Sequence, residues 1–130
     1  MTEISPEPVL ESDALASFER GIEEFNSGKY FECHDTLEDV WHGIRGPARD
    51  FFQGLIQISV GFYHARNGNL SGAESQLAKG LGRLEHYGDR FLGLNLGLLR
   101  REVEPWLSGI RSNTISRAAL PEVPKFNRIP

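Results

Sequence analysis

FNSGKYFECHDTLEDVW, residues 25–41, and ARNGNLSGAESQLAKGL, residues 65–81, lie forty positions apart and align without a gap. Gly28 pairs with Gly68, Tyr30 with Leu70, Cys33 with Ala73, Leu37 with Leu77 and Trp41 with Leu81. Upstream, Phe18 pairs with Ile58 and Ile22 with Phe62. Apolar residues recur at spacings of three and four, the period of a helix buried along one face. In each half a glycine follows a helical stretch, where a left-handed C-terminal residue is needed, and a second helix follows. The echo predicts two antiparallel helical hairpins of tetratricopeptide-like layout, and with them an all-α fold.

Working outward, helical periodicity starts near Ser12, with Ser12 or Asp13 as the cap, and runs to the stop at residues 26–28. A second helix spans about Lys29 to Ile44. Pro47 suits the first turn of a third, which reaches about Arg66. A fourth runs from Ser71 to near Tyr87. After a loop around GDRFLG comes a fifth, capped by Asn95 and bent or restarted by Pro105. Residues 1–10 read as a flexible lead and 11–110 as the helical domain. Residues 111–130 read as an extended tail pinned by Val123, Phe126 or Ile129.

A chain of 130 residues with a net charge of -4 and a pI near 5.6 carries no basic footprint for nucleic acid. The most apolar run, FFQGLIQISVGFY, is too short to span a bilayer and holds two glutamines. The acidic, proline-bearing start is unlike a signal or transit peptide. One cysteine, Cys33, forms no intrachain disulfide and reads as an inert core thiol. A soluble, cytoplasmic protein is the expectation. A protein partner, or a homodimer through LNLGLLRREVEPWL, is compatible with it.

The polar residues raise the functional question. On a helical wheel Phe31, Leu37, Val40, Trp41 and Ile44 share an apolar face, and Glu32, Asp35, Thr36 and Asp39 take the other side. His34 and Glu38 fall inside the apolar arc, one turn apart. The third helix is apolar round most of its circumference, apart from a stripe of Gln53, Gln57 and His64 with Asp50 at its edge. If the two helices pack antiparallel, these patches meet.

Three readings are open. The cluster could be a satisfied hydrogen-bond network that fixes how the hairpins dock. It could be a metal site, with His34, Glu38 and His64 holding zinc or another divalent transition metal, and the ion activating water for hydrolysis. His42 lies about 12 Å along the axis from His34, too far to share that ion. Or Trp41, Tyr30, Tyr63 and Arg45 could line a groove for a protein or peptide. His86 and the run Arg100, Arg101, Glu102 and Glu104 read as solvated. No phosphate-loop, dinucleotide-binding, serine-elbow or C-x-x-C motif is present.

The paired stretches resemble a known family, domain of unknown function 309, over about residues 15–87. Its glycine, aromatic, glutamate, histidine and tryptophan pattern falls on Gly28, Tyr30, Phe31, Glu32, His34, Glu38 and Trp41. Asp35 stands where the family usually has glutamate. A Gln-Gly-Leu-Ile-Gln stretch falls on residues 53–57, followed by His64 and a turn at Gly68 and Asn69. The resemblance implies an all-helical protein of bacterial, archaeal or plastid type, so a plastid stroma is the counterpart compartment in a plant. It also implies the label of metal-dependent hydrolase that some members carry. The sequence reading thus has two outcomes: a metal-dependent hydrolase built on the cluster, or a non-enzymatic binding module in which the cluster is structural.

Overall fold

The computed structural model describes residues 6–115 and 120–129. Five helices carry the fold: α1 Ser12–Asn26, α2 Tyr30–Gly43, α3 Ala48–Arg66, α4 Leu70–Leu84 and α5 Leu96–Arg111. A single 3-10 turn, Glu85–Tyr87, follows α4. The chain is all-α, as expected, apart from a two-residue hairpin of β1 Arg90–Phe91 and β2 Leu94–Asn95.

The turns of the two helical hairpins are copies. Gly28 and Gly68 both sit at φ 78°. Lys29 N donates to Glu24 O at 2.8 Å, and Asn69 N donates to His64 O at 2.8 Å. Gly28 N reaches Phe25 O at 3.0 Å, and Gly68 N reaches Ala65 O at 3.1 Å. Two such bonds around a left-handed residue consume the last free carbonyls of the helix, so the chain can reverse without orphaned polar groups. The helix contact repeats too. A side chain at Gly21 would lie 2.7 Å from Leu37, and one at Gly61 would lie 2.6 Å from Leu77. In both hairpins a leucine fills the space that a glycine leaves on its partner helix.

The core is aromatic. Phe18 of α1 packs edge-on to Phe52 of α3 at 5.3 Å, and Phe51 continues the contact to Phe91 at 4.7 Å. Trp106 of α5 meets Phe62 at 5.2 Å and donates its indole N–H to Glu122 O at 3.1 Å. Residues 120–129 run extended against the first hairpin; residues 116–119 and 130 of the expected tail lie outside the described chain. Phe126 stacks on Phe25 with centroids 3.7 Å apart, and Asn26 clamps its backbone from both sides, at 2.7 and 3.1 Å. Beyond it, Asn127 O and Ile129 N bond to Asn95 N and Gly93 O, each at 2.8 Å.

Several sequence expectations are corrected. Neither Ser12 nor Asp13 caps α1: the capping residue is Glu11, without a side-chain bond. Helix α5 is unbroken through Pro105. The carbonyl that Pro105 cannot serve belongs to Arg101, and both residues face solvent, where water can satisfy it. Asn95 does cap α5, accepting from Leu98 N at 3.0 Å. Arg100 is half-buried and holds Gly88 O at 2.7 Å, so it is an anchor for the loop before β1. In the lead, Glu7 accepts from Leu92 N at 2.9 Å; residues 1–5 lie outside the described chain. Among the described residues no helix is long and apolar enough to cross a membrane.

Candidate functional site

Helix α2 buries Tyr30, Cys33, Thr36, Leu37 and Val40. This stripe is rotated from the arc expected on the wheel, because α2 packs against α1 as well as α3. Gly21 leaves room on α1 that Leu37 fills, and the Thr36 methyl lies beside it. The rotation moves Phe31, His34 and Trp41 to the rim. Phe31 is 49% exposed, and the side chains of His34 and Glu38 are 23% and 42% exposed. The expected buried His34–Glu38 pair is therefore a half-buried one, reachable from solvent.

His34 stands between two carboxylates. Its Nε2 lies 2.9 Å from Glu38 Oε1, one turn along the helix, and its Nδ1 lies 3.3 Å from Asp35 Oδ1. Nδ1 itself is out of contact with solvent and has no aligned hydrogen-bond partner. His34, Asp35 and Glu38 each offer a donor atom within 4.8 Å of the others. Asp35, expected to point away, completes this group.

Across from His34, α3 contributes Val60, Tyr63 and His64, and with Tyr30 and Phe31 they enclose an apolar cleft of about 220 Å³. Phe31 lies 5.6 Å from the His34 ring and 5.5 Å from the Tyr63 ring. The fold thus brings His34 and His64 to one groove. His64 Nδ1 lies 3.4 Å from Asn69 Nδ2, whose amide oxygen is fixed by Gly72 N at 2.9 Å. With the amide held that way, Asn69 donates and His64 Nδ1 accepts, so a neutral His64 carries its proton on Nε2.

The glutamines go elsewhere. Gln57 accepts from Arg83 Nε at 3.0 Å, and Arg83 also pairs with Asp50. Gln53 and Trp41 border a second cleft with Arg49, Asp50 and Arg83. Arg49 lies over the Trp41 ring at 3.7 Å. Sequence reasoning missed Asp35, Arg49 and Arg83. Arg49 was findable, since it precedes Gln53 by one turn on the stripe already singled out. Arg83 was hidden because its partners lie on another helix.

Cys33 is fully buried, and burial pushes its thiol up to about 12. A thiol that ionises so late is no nucleophile at neutral pH. Burial also raises the Tyr30 hydroxyl, against the opposing pull of Arg66, whose guanidinium lies 4.5 Å over its ring.

The donor set can be tested against a metal. An ion takes one nitrogen of an imidazole, and the carboxylates of Asp35 and Glu38 flank different nitrogens. They therefore divide into a ligand and an orienting group. Ligands about 2.0–2.2 Å from a tetrahedral ion lie about 3.3 Å apart, so the His34–Glu38 gap needs to open by only about 0.4 Å. His34 with Glu38 supplies two donors for a divalent ion. His64 is not in the group whose donor atoms lie within 4.8 Å of one another, so a third protein ligand would have to come from movement in the groove.

Residues 18–76 match the model of the family described as domain of unknown function (DUF309). Over these residues the chain is similar to DUF309. The DUF309 match includes both hairpin turns, His34, Glu38 and His64. A Bacillus subtilis (strain 168) protein named uncharacterized protein YpuF is 38% identical over 80 residues, 58% of this chain and 46% of its own length. An uncharacterized protein of Aquifex aeolicus (strain VF5) is 26% identical over 81 residues, 62% of this chain and 24% of its own. The chain thus spans less than half the length of either relative.

Proposed function

We propose that this chain is a metal-dependent hydrolase of a reducing, cytoplasm-like compartment, working in the α2–α3 groove. The observation that carries it is His34 Nε2 held 2.9 Å from Glu38 Oε1 at the mouth of an open cleft. His34 and Glu38 would hold the ion. Asp35, 3.3 Å from Nδ1 but not aligned with it, would accept the Nδ1 proton after a small turn of its carboxylate and so orient the ring, as carboxylates beside ligating histidines do. When bound, the ion supplies Lewis acidity and a water acidified toward neutral pH. His64 faces the same groove from α3, either as a third ligand or, in the tautomer that Asn69 favours, as an Nε2–H donor to a substrate oxygen. Phe31, Val60 and Tyr63 give the groove apolar walls against which the apolar part of a substrate would pack.

Elemental analysis of protein prepared without a tag or chelator tests this. About one zinc, manganese, iron or nickel ion per chain is expected, absent from His34→Ala. Asp35→Asn should bind 10- to 100-fold more weakly, the usual loss when an orienting carboxylate is removed. Metal-free wild-type protein that also takes up no zinc on titration would sink the proposal. One observation favours a second reading. Phe31, tilted against Tyr63 yet 49% exposed, suits a tetratricopeptide-like module that seats an apolar peptide side chain. In that case Phe31→Ala abolishes partner binding while His34→Ala leaves it unchanged.

A further inference from the structure

The second cleft, where α2 ends and α3 begins, is separate from the histidine groove and opens onto solvent over about 390 Å³. Its walls concentrate cation in a chain whose net charge is -4. Arg49 and Arg83 face it together, with Asp50 as the one carboxylate and Gln53 as an amide. Arg83 is partly spent, giving Nε to Gln57 and one terminal nitrogen to Asp50. Arg49 is not. Among the described residues it has no carboxylate within ion-pair distance, and its Nε is sealed from solvent without an acceptor. The guanidinium is nonetheless held in place, 3.7 Å over the Trp41 ring. Stacking fixes the plane of the fork while leaving its in-plane N–H groups for a planar acceptor. Its Nε is dry and unpaired, and its two terminal nitrogens, which have no partner among the described residues, are the donors left for an acceptor in the cleft.

We propose that the Trp41–Arg49–Gln53–Arg83 cleft binds a small organic oxyanion, a carboxylate or a phosphate. Arg49 takes the oxyanion in bidentate fashion. Arg83 contributes its free terminal nitrogen, and the Gln53 amide donates to the remaining oxygen. Asp50 is held off by Arg83, so the cleft keeps one net positive charge. The site uses no residue of the His34 group, so it holds whether or not that group binds metal.

The indole N–H signal of Trp41 in a proton–nitrogen correlation spectrum reads the cleft directly; Trp106 is buried elsewhere and serves as the internal control. Phenyl phosphate and benzoate are the probes, with sodium chloride at matched ionic strength as the blank. A saturable Trp41 shift in the low millimolar range or below is expected from at least one probe. The tighter probe names the headgroup. Arg49→Gln should weaken it at least about tenfold, the loss of a charge-assisted hydrogen bond. Gln53→Glu should do the same with both arginines in place, which separates lost charge balance from lost packing. No saturable shift with either probe, a shift reproduced by chloride, or unchanged affinity in a folded Arg49→Gln protein would overturn the proposal.

Discussion

The two hairpins share a turn and a leucine-on-glycine contact, yet they do different work. In the second, Gly54 and Gly80 let α3 and α4 touch: a side chain at Gly80 would lie 2.9 Å from the Gly54 carbonyl oxygen. The matching positions in the first hairpin are Ala14 and Val40, and they border an open cavity between α1 and α2. Small residues close one hairpin along its length, while side chains hold the other apart at its far end. The chemistry follows that division. His34 and Glu38 are matched by Glu74 and Ala78, and among the described residues the Glu74 carboxylate has a loose partner in Arg111 at 3.8 Å. The second hairpin is the more closely packed; the first carries His34 and Glu38 at its rim, facing the α3 side of the groove.

If that is right, the first hairpin needs a brace that the second does not. The tail supplies it. Phe126 covers Phe25, whose counterpart is the small Ala65. Phe126→Ala should therefore cost about 3–5 kcal/mol in urea unfolding, the range for removing a buried aromatic ring. A loss below about 1 kcal/mol would mean that the tail decorates an already stable hairpin.

The glycine contacts sharpen the same contrast. Gly80→Ala drives a methyl into backbone, which cannot step aside, and should destabilise by about 2–3 kcal/mol. Gly21→Ala meets the flexible end of Leu37 instead and should cost about 1 kcal/mol. Equal losses in thermal unfolding would show that α1–α2 is packed as rigidly as α3–α4.

These features were unequally legible in the sequence. Hairpins, turns and the forty-residue echo could be read because each rests on local rules: a glycine at positive φ and apolar residues three and four apart. The hairpin at 90–95 was missed because its strands are two residues long and one turn residue is Leu92 at φ 47°, which no propensity suggests. The site was half visible. The wheel found His34 and Glu38 but set the buried stripe by hydrophobicity alone, so it could not see that α1 covers Thr36 and Leu37 and leaves the histidine at the rim. It paired Gln57 with His34, whereas an arginine from α4, twenty-six residues away, had the stronger claim. Partners chosen across helices depend on the register between them, and register is set by contacts such as Leu77 on Gly61.

The smallest test concerns Cys33, whose counterpart is Ala73. Both are fully buried, so Cys33→Ala should cost little at neutral pH, about 1 kcal/mol for the lost sulfur contacts. The difference lies at alkaline pH. Burial raises the native thiol from its ordinary 9.0 to about 12, whereas in the unfolded chain it ionises near 9.0. Below pH 9.0 the thiol is protonated in both states and its contribution is intact. Between 9.0 and about 12 the unfolded chain sheds a proton that the native state keeps, so stability falls by up to about 1.4 kcal/mol per pH unit. Burial also raises the hydroxyls of Tyr30 and Tyr87, which add a loss of the same sign that is common to both proteins. Wild type should therefore lose stability faster than Cys33→Ala as pH climbs from 9 to 11 in urea titrations. Parallel curves would mean that the thiol reaches solvent in the native state, and that the first hairpin opens where the second, with alanine at that position, has nothing to reveal.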